Sequence, residues 1–215
     1  MPELIIFDCD GVLVDSEIIA NRVLAALLSR HGYAVTAAEC RARFLGRTIP
    51  GVIKMVADEG VALPDDFEAT LREKDIEAFA RDLKPTPGMQ GTLERLAQLP
   101  KCVASSGSPD KIRRNLETTG LLRYLDPYLF SAHDVLQPKP APDLFLMAAE
   151  RMGANAGKCT VIEDTPLGIE GAKRAGMRAF GYIGGAHRVA ADTKLLRDAG
   201  ADLVFADMGE LPGLL

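Results

Sequence analysis

Apolar positions along the chain fall into two rhythms, and the change between them divides it. At the start, Leu4-Ile5-Ile6-Phe7 is an unbroken apolar run of strand length that ends on Asp8-Cys9-Asp10-Gly11. A run without polar alternation suits a parallel strand buried on both faces. Over 16–31 the apolar residues Ile19, Val23, Leu24, Leu27 and Leu28 recur at helical spacing, with Asp15-Ser16 placed to cap that helix and Gly32 to stop it. Thr36-Ala37-Ala38-Glu39 is a capping-box pattern that opens a second helix, closed by Gly46. A third helix is predicted over 49–59. A fourth follows Pro64-Asp65-Asp66, with Phe67, Leu71, Ala78 and Phe79 as its inner stripe. Lys84-Pro85-Thr86-Pro87-Gly88 then breaks the helical pattern, as a linker does.

From residue 88 the pattern alternates. It predicts helices over 91–99, 108–119, 142–152 and 165–175, and short strands over 101–104, 128–131, 160–162, 178–182 and 203–205. Such alternation signals a parallel sheet. The expected fold class is therefore α/β: a Rossmann-like parallel sheet core of residues 1–15 and 86–215, with an all-helical cap of residues 16–85 inserted directly behind the first strand. An insertion at that point hangs over the carboxyl ends of the strands, where a lid is useful.

Composition narrows the partners. The 215 residues suffice for two units, and 25 Lys+Arg against 30 Asp+Glu leave a net charge of −5, which argues against a general nucleic-acid or anionic-membrane surface. Cys9, Cys40, Cys102 and Cys159 form no C-x-x-C pair and read as small buried hydrophobes in a reducing compartment. No apolar run approaches the roughly eighteen residues of a membrane span, and Met1-Pro2-Glu3-Leu4-Ile5 lacks the basic leader of an export signal. A cytoplasmic protein is expected.

Candidate chemistry collects at predicted strand ends, where open α/β sheets bind ligands. Asp8 and Asp10, two apart at the end of the first strand, share a side and repel, so a cation or a shared proton is implied. Ser105-Ser106-Gly107 precedes a helix N-terminus and offers a hydroxyl and backbone N–H groups to a phosphate. Lys139 sits among Pro138, Pro140 and Pro142, which hold its loop extended, and Asp143 is placed to cap the next helix. Glu163-Asp164 ends another strand in acids. Together, Asp8, Asp164 and the main-chain carbonyl of Asp10 make an all-oxygen site suited to Mg²⁺, with Glu163 the other acid placed to join it. Such a metal would bind a phosphoryl oxygen while Lys139 and the N–H groups around Ser106 take the others.

These four clusters resemble the four motifs of the haloacid dehalogenase-like hydrolase superfamily. Asp8-Cys9-Asp10-Gly11-Val12-Leu13-Val14-Asp15-Ser16-Glu17 is similar to the first motif and Ser105 to the second. Lys139 in Lys139-Pro140-Ala141-Pro142-Asp143 is similar to the third, and Glu163-Asp164-Thr165-Pro166-Leu167-Gly168 with Ala175-Gly176-Met177 to the fourth. The likeness spans essentially the whole chain, and order, spacing and flanking residues agree. It points to the branch with a helical cap after the first motif, which holds β-phosphoglucomutase and many sugar-phosphate phosphatases. Within that branch, Asp8-Cys9-Asp10-Gly11 and Cys102-Val103-Ala104-Ser105-Ser106-Gly107 look most like the bacterial 6-phosphogluconate phosphatase type.

The resemblance implies Mg²⁺-dependent hydrolysis of a small phosphorylated metabolite, such as a sugar phosphate or sugar-acid phosphate, in a protein that acts as a monomer. Asp8 is implied as the nucleophile that forms an aspartyl-phosphate, and Asp10 as the acid and base of its two halves. Asp10 argues against dehalogenation, which has no leaving alkoxide to protonate. Ala20 stands where the mutases carry a His on the first cap helix, which favours hydrolysis over a phosphosugar mutase. A phosphonatase would need a cap lysine such as Lys54, an ordinary helix-face position, and a phosphoacceptor receiver module needs neither the cap nor Asp10. Arg47, in the turn Gly46-Arg47-Thr48 between cap helices, is the candidate contact to a distal anionic group of the substrate. His31, His133 and His187 share no spacing and receive no role.

Overall fold

Strands β1 (Leu4–Phe7), β2 (Lys101–Ser105), β3 (Leu129–Ser131), β4 (Cys159–Glu163), β5 (Arg178–Tyr182) and β6 (Leu203–Phe205) pair in parallel, in the order β3-β2-β1-β4-β5-β6. This is a computed structural model, and it describes residues 1–44, 47–186 and 192–215. Gly46, the expected stop of the second helix, and His187 lie outside the described residues. All four residues of β1 are fully buried, as an unbroken apolar run requires when neighbours pair on both edges. Ile6 stands opposite Cys102 of β2 and Val161 of β4. The chain runs outward from β1 through β2 to β3 and then returns to β4 on the other side, so the sheet's direction of growth reverses beside β1. The crevice outside the carboxyl ends of β1 and β4 is where such sheets place a ligand.

The crossover helices are α5 (Met89–Arg95), α6 (Pro109–Thr118), α7 (Asp143–Arg151), α8 (Pro166–Arg174) and α9 (Asp192–Asp198), and α10 (Leu211–Leu214) ends the chain. Phe145 and Ala148 of α7 and Ile169 and Ala172 of α8 share one core cluster with Ile6, Cys102 and Val161. All four cysteines are buried and unlinked. The hydrophobic pattern predicts no counterpart to α9 and α10, of seven and four residues, which are too short to show a helical period. It places the start of α5 two residues late and Asp143 at a capping position, whereas Asp143 lies inside the first turn of α7 behind Pro142.

The exit from β1 is a tight loop. Leu13 and Val14 N–H both donate to Cys9 O at 3.0 Å, Gly11 N–H donates to Val14 O at 2.8 Å, and Gly11 takes φ +82°, a conformation that other residues resist. The chain returns alongside: Asp15 N–H donates to Lys84 O at 3.0 Å, Thr86 N–H to Leu13 O at 3.0 Å and Thr86 Oγ1 to Val12 O at 2.6 Å.

The chain separates into two compact units, Met1–Asp15 with Lys84–Leu215, and Ser16–Leu83. Lys84 and Pro85 thus go with the sheet rather than with the insert, because the backbone bonds at Lys84 and the bridge between Val14 and Pro85 fasten them to the β1 exit. The second unit is α1 (Glu17–Arg30), α2 (Ala37–Phe44), α3 (Ile49–Asp58) and α4 (Phe67–Asp82) around its own core of Leu24, Leu28, Cys40, Phe44, Val52, Val56, Phe67 and Leu71. The buried residues of α4 are Phe67, Leu71, Ala78 and Phe79. The Thr36 capping box forms, with Glu39 Oε2 accepting from Thr36 N–H at 2.8 Å and Thr36 Oγ1 from Glu39 N–H at 3.2 Å. Ser16 takes the N-cap position of α1, but its side chain makes no capping bond. No helix among the described residues is long and apolar enough to cross a membrane.

Candidate active site

Lys139 organises the crevice. Its ammonium donates to Asp8 Oδ1 at 2.6 Å, to Glu163 Oε1 at 2.7 Å and to Ala104 O at 3.0 Å, using its three protons on residues at the ends of three adjacent strands. The side chain is 5% exposed and the ammonium lies 5.0 Å from the centre of the Phe145 ring. Burial alone would weaken its charge, but Asp8 and Glu163 outweigh that and hold the proton more tightly than in an ordinary lysine.

Asp8 continues β1 past its last paired residue, with its N–H on Ile162 O at 3.0 Å. Burial is the largest influence on its carboxyl and pushes its pKa well up. Lys139 opposes this, while Glu163 and Asp164 add to it through like charge. Asp8 and Glu163 thus share one lysine, with Asp164 buried next to Glu163 in the chain.

Glu163 is the acid whose oxygens are engaged on all sides. Oε1 faces Lys139, and Oε2 accepts from Asp164 N–H, Thr165 N–H and Thr165 Oγ1, each at 2.9 Å. Thr165 also caps α8, its Oγ1 accepting from Gly168 N–H at 3.1 Å. Gly168 is required for this arrangement, since a Cβ there would overlap the Glu163 carboxylate. Asp164 is 1% exposed.

Asp10 faces helix α6. Lys111 Nζ lies 2.7 Å from its Oδ2, and Asn115 Nδ2 lies 3.5 Å from its Oδ1, a long contact. Neither partner was among the residues singled out in the sequence. The available signal was Asn115, a carboxamide in the buried stripe that α6 otherwise fills with Ile112 and Leu116.

Ser105 ends β2 and is buried, with its Oγ accepting from Gly107 N–H at 3.2 Å, and Ser106 is exposed beside it. Ser131 Oγ donates to Gly107 O at 2.7 Å and pins this loop to the end of β3. Arg47 belongs to the second unit, where its N–H donates to Phe44 O at 2.9 Å and its side chain is exposed. The structure therefore gathers Asp8, Lys139 and Glu163 by direct bonds, with Asp164 next in chain and Asp10 two residues on.

The donor set fits a hard divalent cation. The acids are oxygen donors, they are buried, and their negative charge exceeds what Lys139 offsets. Among the described residues no three Asp, Glu, His or Cys side chains converge as a ready-made ligand group.

Residues 2–176 match the haloacid dehalogenase-like hydrolase family. The chain is 31% identical over 187 residues to 6-phosphogluconate phosphatase of Escherichia coli (strain K12), covering 86% of this chain and 84% of that one. It is 30% identical over 209 residues to a phosphorylated carbohydrates phosphatase of Thermotoga maritima, covering 93% and 92%. Among solved structures, a haloacid dehalogenase-like protein of unknown function from Agrobacterium tumefaciens superposes with a TM-score of 0.91 at 37% identity, over 100% of this chain and 97% of that one. A parallel sheet with a helical insert and an acid-lined crevice at its switch point defines a class of hydrolase, and this chain belongs to the haloacid dehalogenase-like family within it. Its enzymatic class is that of a phosphatase, a phosphoric monoester hydrolase.

Proposed function

We propose that the enzyme is a Mg²⁺-dependent phosphatase that hydrolyses a small phosphorylated metabolite, a sugar phosphate or sugar-acid phosphate, by way of a phosphoryl group carried on Asp8. The observation that carries this reading is the three-way anchoring of Lys139 on Asp8, Glu163 and Ala104 O. A buried nucleophile with a fixed ammonium against it is arranged for transfer of a doubly charged group, where positioning and charge stabilisation do most of the work. The substrate class follows the names of the Escherichia coli and Thermotoga maritima relatives.

In this reading a carboxylate oxygen of Asp8 attacks phosphorus in line, and the bond from phosphorus to the ester oxygen breaks. Asp10 gives its proton to the departing oxygen. Water then attacks the phosphorus, Asp10 takes a proton from it, the bond to Asp8 breaks and inorganic phosphate leaves. Lys139 offsets charge on the transferring group, and Ser105, Ser106 and the N–H groups of their loop bind its oxygens. Asp8, Asp164 and the Asp10 carbonyl would hold Mg²⁺. Glu163, whose acceptors are engaged by protein donors, holds Lys139 in place rather than serving as a metal ligand. Bound there, the cation supplies Lewis-acid charge that offsets the clustered carboxylates. The helical unit serves as the cap, with Arg47 as contact to a distal anionic group, and Arg47→Ala with unchanged kcat/KM on the best substrate would remove that contact.

The test is phosphate release from a panel of phosphorylated metabolites, including 6-phosphogluconate, with Mg²⁺ and with chelator. Release that chelation abolishes is expected. No release from any member, or release indifferent to chelation, would contradict the reading, and interconversion of sugar-phosphate isomers would turn it to a mutase.

A further inference from the structure

Lys111 is the third residue of α6, behind Ser108 at the N-cap and Pro109 at the first position. A cation in the first turn of a helix opposes the positive end of the helix dipole, so helix stability does not explain it. Its ammonium instead lies 2.7 Å from Asp10 Oδ2. Asn115, four residues on and therefore on the same helix face, is 1% exposed and brings Nδ2 to 3.5 Å from Asp10 Oδ1. Asn115 Oδ1 meets no donor among the described residues. Burying a carboxamide with an unmet acceptor costs free energy, which a role at Asp10 accounts for.

Resting on the phosphatase reading above, we infer that Lys111 and Asn115 are positioning residues that fix the orientation of the Asp10 carboxyl group. The oxygen that donates to the departing alcohol is thereby aimed rather than left to rotate. Lys111 does not itself touch the reacting atoms. It acts through Asp10, and its effect is confined to steps in which Asp10 moves a proton. The first such step, protonation of the leaving oxygen, matters in proportion to how poor the leaving group is. An ester whose oxygen departs readily as an anion does not need it.

The experiment compares kcat/KM of wild type, Lys111→Met and Lys111→Arg on phenyl phosphates of one shape and graded leaving ability, from p-nitrophenyl to unsubstituted phenyl. The ratio kcat/KM reports the transfer to Asp8 alone, apart from the later hydrolysis. For Lys111→Met we expect a loss of about tenfold or more on phenyl phosphate and less than about threefold on p-nitrophenyl phosphate, because the lost aim is felt only where protonation is required. Lys111→Arg is expected to restore most of the loss. Lys111→Gln, which keeps a polar head, serves if the methionine variant does not fold, and thermal melts of each variant check that. An equal loss on all esters would overturn the inference in favour of a structural or substrate-binding role, and so would no loss. Failure of the wild type to release phosphate from any ester would overturn the phosphatase reading itself and this inference with it.

Discussion

In the sheet-bearing unit the side chains of Lys139, Asp8 and Glu163 are 5%, 10% and 1% exposed and bonded to one another. In the helical insert the ion pairs Lys54–Asp58, Lys74–Glu77 and Arg81–Asp82 lie on helix surfaces, with the lysines and Arg81 44–75% exposed. The same residue types thus meet opposite physics. Exposed ion pairs are worth little, while charges taken out of water are costly unless each has its partners. A fold that buries Glu163 and Asp164 beside Asp8 raises the cost of charging Asp8, and a proton or a bound cation would relieve it. The insert has its own apolar core and no such cluster among its described ion pairs.

Several substitutions break or sharpen that contrast. The largest effect is expected from Asp8→Asn, which should leave the fold intact by circular dichroism and lower phosphate release by about 10³-fold or more. Lys139→Ala comes next. It leaves Asp8 and Glu163 buried without their cation, and denaturant unfolding should show a loss of about 3–5 kcal/mol together with lost turnover. Gly168→Ala forces the Glu163 carboxylate to move, and we expect about 1–3 kcal/mol of lost stability, with reduced kcat because the Lys139 anchor shifts. The smallest effect belongs to the insert. Arg81 and Arg22 hold the Asp82 carboxyl down at about 2. Its folded value lies below the ordinary one, so its contribution is present above the ordinary carboxylate range and lost as pH falls toward 2. Asp82→Asn should flatten acid unfolding slightly in that interval and leave activity unchanged. A large loss of activity there would erase the contrast.

The legible parts of the molecule were those written in local pattern. The apolar run of β1, the capping box at Thr36, the inner stripe of α4 and the bounds of β5 and β6 follow from neighbours in sequence. Lys139 could be suspected because prolines flank it, but its three acceptors come from residues 24 to 131 positions away from it, a distribution only the parallel sheet creates. Glu163 and Asp164 looked interchangeable as ligands. What separates them is the turn into α8, where Thr165 and the space above Gly168 claim Glu163. Lys111 was hidden for a different reason. A lysine early in a helix reads as surface, and only the crossover from β2 brings that helix face to the loop after β1.

The most direct test of the account is the mass of enzyme quenched in acid during a single turnover with Mg²⁺ and the best substrate from the phosphate-release panel. The account predicts a population heavier by one phosphoryl group, located by fragmentation on Asp8 and missing in Asp8→Asn. A phosphoryl group on Ser105, Ser106 or Asp10, or full turnover by Asp8→Asn, would contradict it.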